Sequence, residues 1–344
     1  MLAELFAGHG LDPARTAGEA FGYFRAHRLP GGAVREDPAE FAMDNWDNVH
    51  VLKAVALWRD RLGAEHAATA AELAEDVLGW LRTRENPVGV LTYGGANPEG
   101  YCPETTAEYV IALLRLGRPD EARLRAAYLR SRQRAGGDWE VEHPYLPADA
   151  RAVPSVTGFV LDALDAVGLE PFDLDAALDH LARSQRPEGH FGSHRWYYDT
   201  PLYFLRPVTA ILARHGYHAA VAAARDHLLG RQQADGSWPR IGEDGSSTGF
   251  HTALALEALA HTGTGTEHPA VRRGVDWLLS RRRPDGSWAG GRYPDYPEIT
   301  LSLLRANAGA ESYGRPPQDV YATAQTLSTF HQLAELEARR GTAV

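Results

Sequence analysis

The 344-residue chain holds one cysteine, Cys102, two methionines, and a single lysine, Lys53, among 35 basic residues. A lone cysteine excludes an intramolecular disulfide and any multi-cysteine metal centre. A lone lysine leaves almost no scope for a Schiff base or a lysine phosphate clamp; the shortage itself is the mark of a GC-rich coding genome. No run of about 18 apolar residues exists, so no transmembrane segment is expected. The N-terminal "MLAELFAGHGLDPARTAGEA" has no basic region followed by an apolar run. No secretion signal is therefore expected, and a cytoplasmic location is. The net charge of −10 argues against nucleic acid or an anionic membrane surface as the main partner. Strand-like alternation of apolar and polar residues is almost absent.

What is present is repetition. "QQADGSW" (232–238) is followed by "RRRPDGSW" (281–288). Each follows an amphipathic helix; before the second, Val271, Val275, Leu278 and Leu279 form one apolar stripe. Similar helices lead to Trp139 and Phe191, and a degenerate copy is "AELAEDVLGWLRTRENPVGVLTYG". Between them lie helices that are apolar or small nearly all round, such as "STGFHTALALEALAHTG" and "SVTGFVLDALDAVG". Such helices are buried on every side. Starts near residues 47, 104, 155, 199, 247 and 298 give one helical hairpin per repeat. Outer helices with one wet face alternating with buried inner helices predict an all-α fold, an (α/α)6 toroid forming a single domain. An open solenoid has similar periods, but it needs polar end caps that neither terminal hairpin shows. Residues 1–40 are expected to form an N-terminal helical arm packed on a toroid of residues 41–344.

A helix, then Gln or Arg, then "DGSW" resembles the repeat of squalene and oxidosqualene cyclases and of protein prenyltransferase β subunits. In that superfamily a glutamine binds backbone at a helix end and stacks on the aromatic. Gln185, Gln233 and Trp238 match it, with Arg near Trp288. The resemblance covers about residues 40–335 and implies isoprenoid chemistry, although a shared fold does not carry a shared reaction. The cyclases' proton donor is the middle acid of Asp-x-Asp-Asp. Here "WYYDT" keeps Asp199 and Thr200 but has Tyr198 in the donor place, and a phenol of pKa about 10 is too weak an acid. "DNWDN" keeps Asp44 and Asp47 around Trp46. The zinc site of the prenyltransferases lacks its Asp-x-Cys, since Gly100 precedes Cys102 where an aspartate is needed. No Asp-Asp-x-x-Asp cluster is present to hold magnesium. Neither metal nor organic cofactor is expected.

Inner helices of a toroid point their N-termini to one end, where polar side chains collect with positive helix-dipole ends. Asp47 and Asp199 are the expected acid/base pair, with Asp44 and Glu104 as further catalytic candidates. Trp46, His50, Trp196, Tyr197, Tyr198, His251 and Glu298 are the expected substrate-binding residues. Taken singly, each acid also fits an ordinary helix N-cap. Aromatics beside the acids supply what that alternative does not explain: π faces for a carbocation and a desolvated carboxyl. The expected function is metal-independent acid/base cyclisation, isomerisation or dehydration of a hydrophobic isoprenoid or polyene, as in natural-product biosynthesis. Alternatives are a linalool dehydratase/isomerase-like lyase and a non-catalytic toroid that binds a lipid or a protein.

Overall fold

Thirteen α-helices and no strand form among the residues that the computed structural model describes: 1–36, 44–92, 100–141, 151–192, 202–239, 246–290 and 319–341. Six helices stand inside: α3 (Asp44–Trp58), α5 (Pro103–Arg115), α7 (Pro154–Ala166), α9 (Leu202–Arg214), α11 (Gly249–His261) and α13 (Asp319–Gly341). Each packs on the next, and α13 returns to pack on α3. The ring is therefore closed, and the fold is an all-α toroid. Among the described residues the sixth inner place belongs to α13; the helix expected to start near residue 298 lies outside the described residues.

Six more helices form the outer layer: α2 (Pro13–Ala26), α4 (Ala64–Arg82), α6 (Pro119–Ser131), α8 (Leu174–Arg183), α10 (His218–Gly230) and α12 (Pro269–Ser280). Helix α1 (Leu2–Gly8) packs on α12 and α13. Helix α2 packs on α4, α3 and α13, which puts it in the sixth outer position. The domain boundary expected near residue 40 falls within 37–43, outside the described residues. No described helix is long and apolar enough to cross a membrane.

The aromatic plugs have one repeated anatomy. Trp139, Trp238 and Trp288 are fully buried. Each donates its indole N–H to a carbonyl in its own outer helix: Leu129 at 2.6 Å, Leu228 at 2.7 Å and Leu278 at 2.7 Å. Each also donates its backbone N–H to a threonine of the next inner helix: Thr157, Thr252 or Thr323. One plug thus ties an outer helix to an inner one by burial and by two hydrogen bonds. The preceding turn fits only glycine. Gly236 has φ +96°, and a Cβ there would lie 2.5 Å from the Arg273 carbonyl oxygen on the next outer helix.

The glutamines tie neighbouring hairpins. Gln133 and Gln185 each donate to the carbonyl of their turn glycine and to a carbonyl at the start of the next outer helix (Asp173 and Ala220). In the next repeat Gln232 performs this role, reaching Gly236 and Ala270. Gln233, the residue expected there, instead accepts from Ser237 in its own turn and from Ser247 just before α11. Beside Trp288 an arginine takes over, Arg282 pairing with Glu19 of α2. Cys102 is an N-cap, its sulfur accepting the Thr105 N–H at 3.4 Å.

Candidate active site

Inner and outer helices alternate in direction, so the N-termini of all six inner helices gather at one end of the ring. Two asparagines fix the first turn of α3 there. Asn48 accepts the Val34 N–H at 2.7 Å and donates to the Asp44 carbonyl at 2.9 Å. Asn45 donates to the Thr92 carbonyl at 3.2 Å. With both flanking segments held, Asp44 and Asp47 are buried at the mouth of the ring.

Asp44 faces the Arg35 guanidinium at 2.8 Å. Asp47 sits in a different electrostatic setting. Burial pushes its carboxyl well above the usual range, and the charges of Glu36 and Asp44 push it further. Glu36, which the sequence did not single out, accepts the Val320 N–H at 2.5 Å at the start of α13. Burial raises this carboxyl too. Three acids therefore share one place, and the neutral form of Asp47 is favoured, as a proton donor requires.

Trp46 projects across the ring. Its centroid lies 5.7 Å from Phe159 of α7, 6.2 Å from Tyr203 of α9 and 5.9 Å from Tyr321 of α13. Phe250 of α11 adds to this wall, 4.9 Å from Tyr321. His50, one turn along α3, lies 4.3 Å from Trp46 and 4.7 Å from Tyr321. Burial holds its imidazole well below the usual histidine range, so it is neutral. Neither ring nitrogen has a hydrogen-bond partner among the described residues.

Other expected residues have visible structural duties. Glu104, buried in the first turn of α5, accepts the Ser155 hydroxyl at 2.6 Å and so links α5 to α7. His251 Nδ1 lies 2.8 Å from the hydroxyl of Thr248, the N-cap of α11. Trp196, Tyr197, Tyr198, Asp199 and Glu298 lie outside the described residues, so the Asp47–Asp199 pairing is untouched by this geometry.

Beneath the aromatic layer runs a buried ionic belt that sequence reasoning missed. Lys53 Nζ lies 2.6 Å from Glu108, and Arg206 lies 2.7 Å from Glu108 and 3.4 Å from Glu257. Gln325 donates to Glu257, and the Arg206 guanidinium rests 4.5 Å from the Phe159 ring centroid. All six inner helices contribute to this cross-section. Burial alone would raise Glu108, but the charges of Lys53 and Arg206 outweigh it and hold the carboxyl far below its usual range. The signal was present in the sequence: Lys53, Glu108, Arg206 and Glu257 each stand in the apolar middle of an inner helix, away from the charged residues of its end turns.

Comparison with known proteins agrees with this architecture. Residues 146–300 match the squalene-hopene cyclase C-terminal domain family. The type II terpene cyclase MstE from Scytonema superposes with a TM-score of 0.68 at 19% identity, over 94% of this chain and 99% of that one. A variant of MstE was solved with geranylgeranyl dihydroxybenzoate as substrate. A protein from Actinoplanes superposes with a TM-score of 0.66 at 20% identity, over 94% of this chain and 100% of that one. ent-Copalyl diphosphate synthase from Streptomyces platensis matches at 21% identity and a TM-score of 0.58, over 85% of this chain and 51% of that one. No curated protein sequence matches the chain significantly. By fold, the chain stands among the terpenoid cyclase-like α/α toroids.

Proposed function

We propose that the chain is an acid-initiated terpenoid cyclase-like enzyme acting on a hydrophobic isoprenoid or polyene, with Asp47 as the proton donor. The observation that carries this reading is the buried Asp47 carboxyl, kept toward its neutral form beside Glu36 and Asp44 and next to an aromatic wall. Protonated Asp47 gives its proton to a terminal alkene carbon or an epoxide oxygen, leaving a carbocation. The π faces of Trp46, Tyr203 and Tyr321 stabilise that positive charge without adding a nucleophile. Loss of a proton from the final cation gives an alkene, and capture of water gives an alcohol, so this start serves cyclisation or isomerisation. Dehydration would begin instead with Asp47 protonating an alcohol oxygen, which leaves as water before the cation loses a proton. Once ionised, Asp47 faces two other acids, which favours its reprotonation for the next cycle.

Asp199 remains the proposed acid/base partner from its sequence position, three residues before Leu202 at the start of α9. Trp196, Tyr197, Tyr198 and Glu298 are proposed to complete the substrate chamber. The missing Asp-Asp-x-x-Asp and Asp-x-Cys patterns are the grounds for proposing that no metal takes part. The test is turnover in D2O. Protonation at carbon places one solvent deuterium in the product at the position of attack. A product with no solvent-derived deuterium would overturn alkene protonation by an acid.

A further inference from the structure

The opposite end of the toroid, where the inner helices terminate, opens into a funnel of about 1040 Å³. We propose that this funnel is a second binding site, taking an amphiphile with an anionic head, a carboxylate or phosphate, on an apolar chain. The Trp46–Phe159–Arg206 stack separates it from the acid end: Phe159 touches Trp46 on one side and Arg206 on the other, and both Phe159 and Arg206 line the funnel.

Small side chains keep the funnel open. Ala56, Ala166, Ala210, Ala213 and Ala260 line its wall from four inner helices, with Leu57, Ile111, Leu114 and Leu336 between them. Larger residues at these alanines would close the space as an ordinary core does. The volume is that of a small-molecule site, and the wall suits an aliphatic body.

The floor specifies the head group. Lys53, Arg206 and Glu257 line the funnel at depth and are buried. In the ionic belt the carboxylates are engaged: Glu108 takes Lys53 and Arg206, and Glu257 takes Arg206 and Gln325. The Gln325 amide oxygen, the one belt acceptor left over among the described residues, does not line the funnel. Donors are left over. The Lys53 ammonium carries three N–H groups and has one acceptor among the described residues, and Arg206 Nε–H has none. A ligand reaching the floor is therefore asked for acceptor oxygens. The charge of the lining agrees: six cations (Lys53, Arg61, Arg115, Arg206, Arg214, Arg339) stand against four acids (Asp60, Asp162, Glu257, Glu335). With Glu108, which pairs with both floor cations from behind the lining, the balance is six cations to five acids, a local excess of one positive charge in a chain whose net charge is −10.

Arginines at helix C-termini also offset the helix dipole, and Arg214 in the last turn of α9 fits that role. The dipole effect fades within one turn, however. Arg206 lies eight residues before the end of α9 and Lys53 five before the end of α3, both too deep for it. The histidines of the wall add no charge near neutral pH, because burial draws His261 and His331 down to about 4.

The test titrates the full-length chain by calorimetry with decanoate, decyl phosphate and decanol, which share one apolar chain and differ in the head. At least one anionic probe is expected to bind about tenfold or more tightly than decanol, and the tighter of the two identifies the head. Two variants, Ala213→Phe and Ala260→Leu, fill the funnel from different helices. At least one of them, with an unchanged melting temperature, is expected to abolish that binding. Equal affinity for decanol and both anions, binding that survives both fillings, or no binding by any probe would each overturn the proposal.

Discussion

A buried carboxyl with two other acids beside it gives up its proton reluctantly, and this makes Asp47 a stability element as well as a proton donor. Its folded pKa is raised, so folding favours the protonated group. Below the ordinary aspartate pKa both states are protonated and nothing is lost. As pH rises above that value the unfolded chain ionises first, and the folded state loses stability until the folded group ionises too. Asp47→Asn is therefore expected to raise the melting temperature at neutral pH and to leave it unchanged near pH 3, which a fluorimetric melt series across pH checks. Glu108 has the opposite sign, since Lys53 and Arg206 hold its folded pKa low. Its contribution is present at neutral pH and is lost in acid. Removing one partner of such a buried pair, as in Lys53→Met, is expected to destabilise the protein by about 3–5 kcal/mol in denaturant titrations. Asp44, Asp47 and their aromatic neighbour were visible in "DNWDN" because they are adjacent in the chain. Glu36 was not, because its place depends on Val320, nearly the whole chain away.

At the scale of elements, the plug is the unit that repeats. Trp238 fills the gap between α10 and α11 and makes hydrogen bonds to both. Trp238→Ala is expected to lower stability by about 3–5 kcal/mol, read as a shift of the denaturation midpoint, while the residual folded protein keeps its ligand. The plug motif was legible because its turn residues are local and the turn chemistry is carried by Asp, Gly and Ser. The choice between Gln232 and Gln233 was not, because it is decided by the Ala270 carbonyl on the following hairpin. Which segment closes the ring was not legible for a related reason. Several apolar segments follow Trp288, and only packing against both α11 and α3 shows that α13 closes the ring.

At the scale of the molecule, closure turns scattered residues into layers. The charges of Lys53, Glu108, Arg206 and Glu257 look like isolated exceptions along the chain, yet the ring brings them to one depth and pairs them. The toroid thereby acquires an acidic, aromatic end and a basic, alanine-walled end with a partition between. The central claim concerns the first of these, and single-turnover kinetics on Asp47→Asn test it most directly. Asparagine keeps the shape of the side chain and removes the proton. With a linear isoprenoid that the wild type converts, the variant is expected to fold normally and to lose at least about 100-fold in the rate of product formation, followed by mass spectrometry. A correctly folded Asp47→Asn protein that forms product at the wild-type rate would contradict the account.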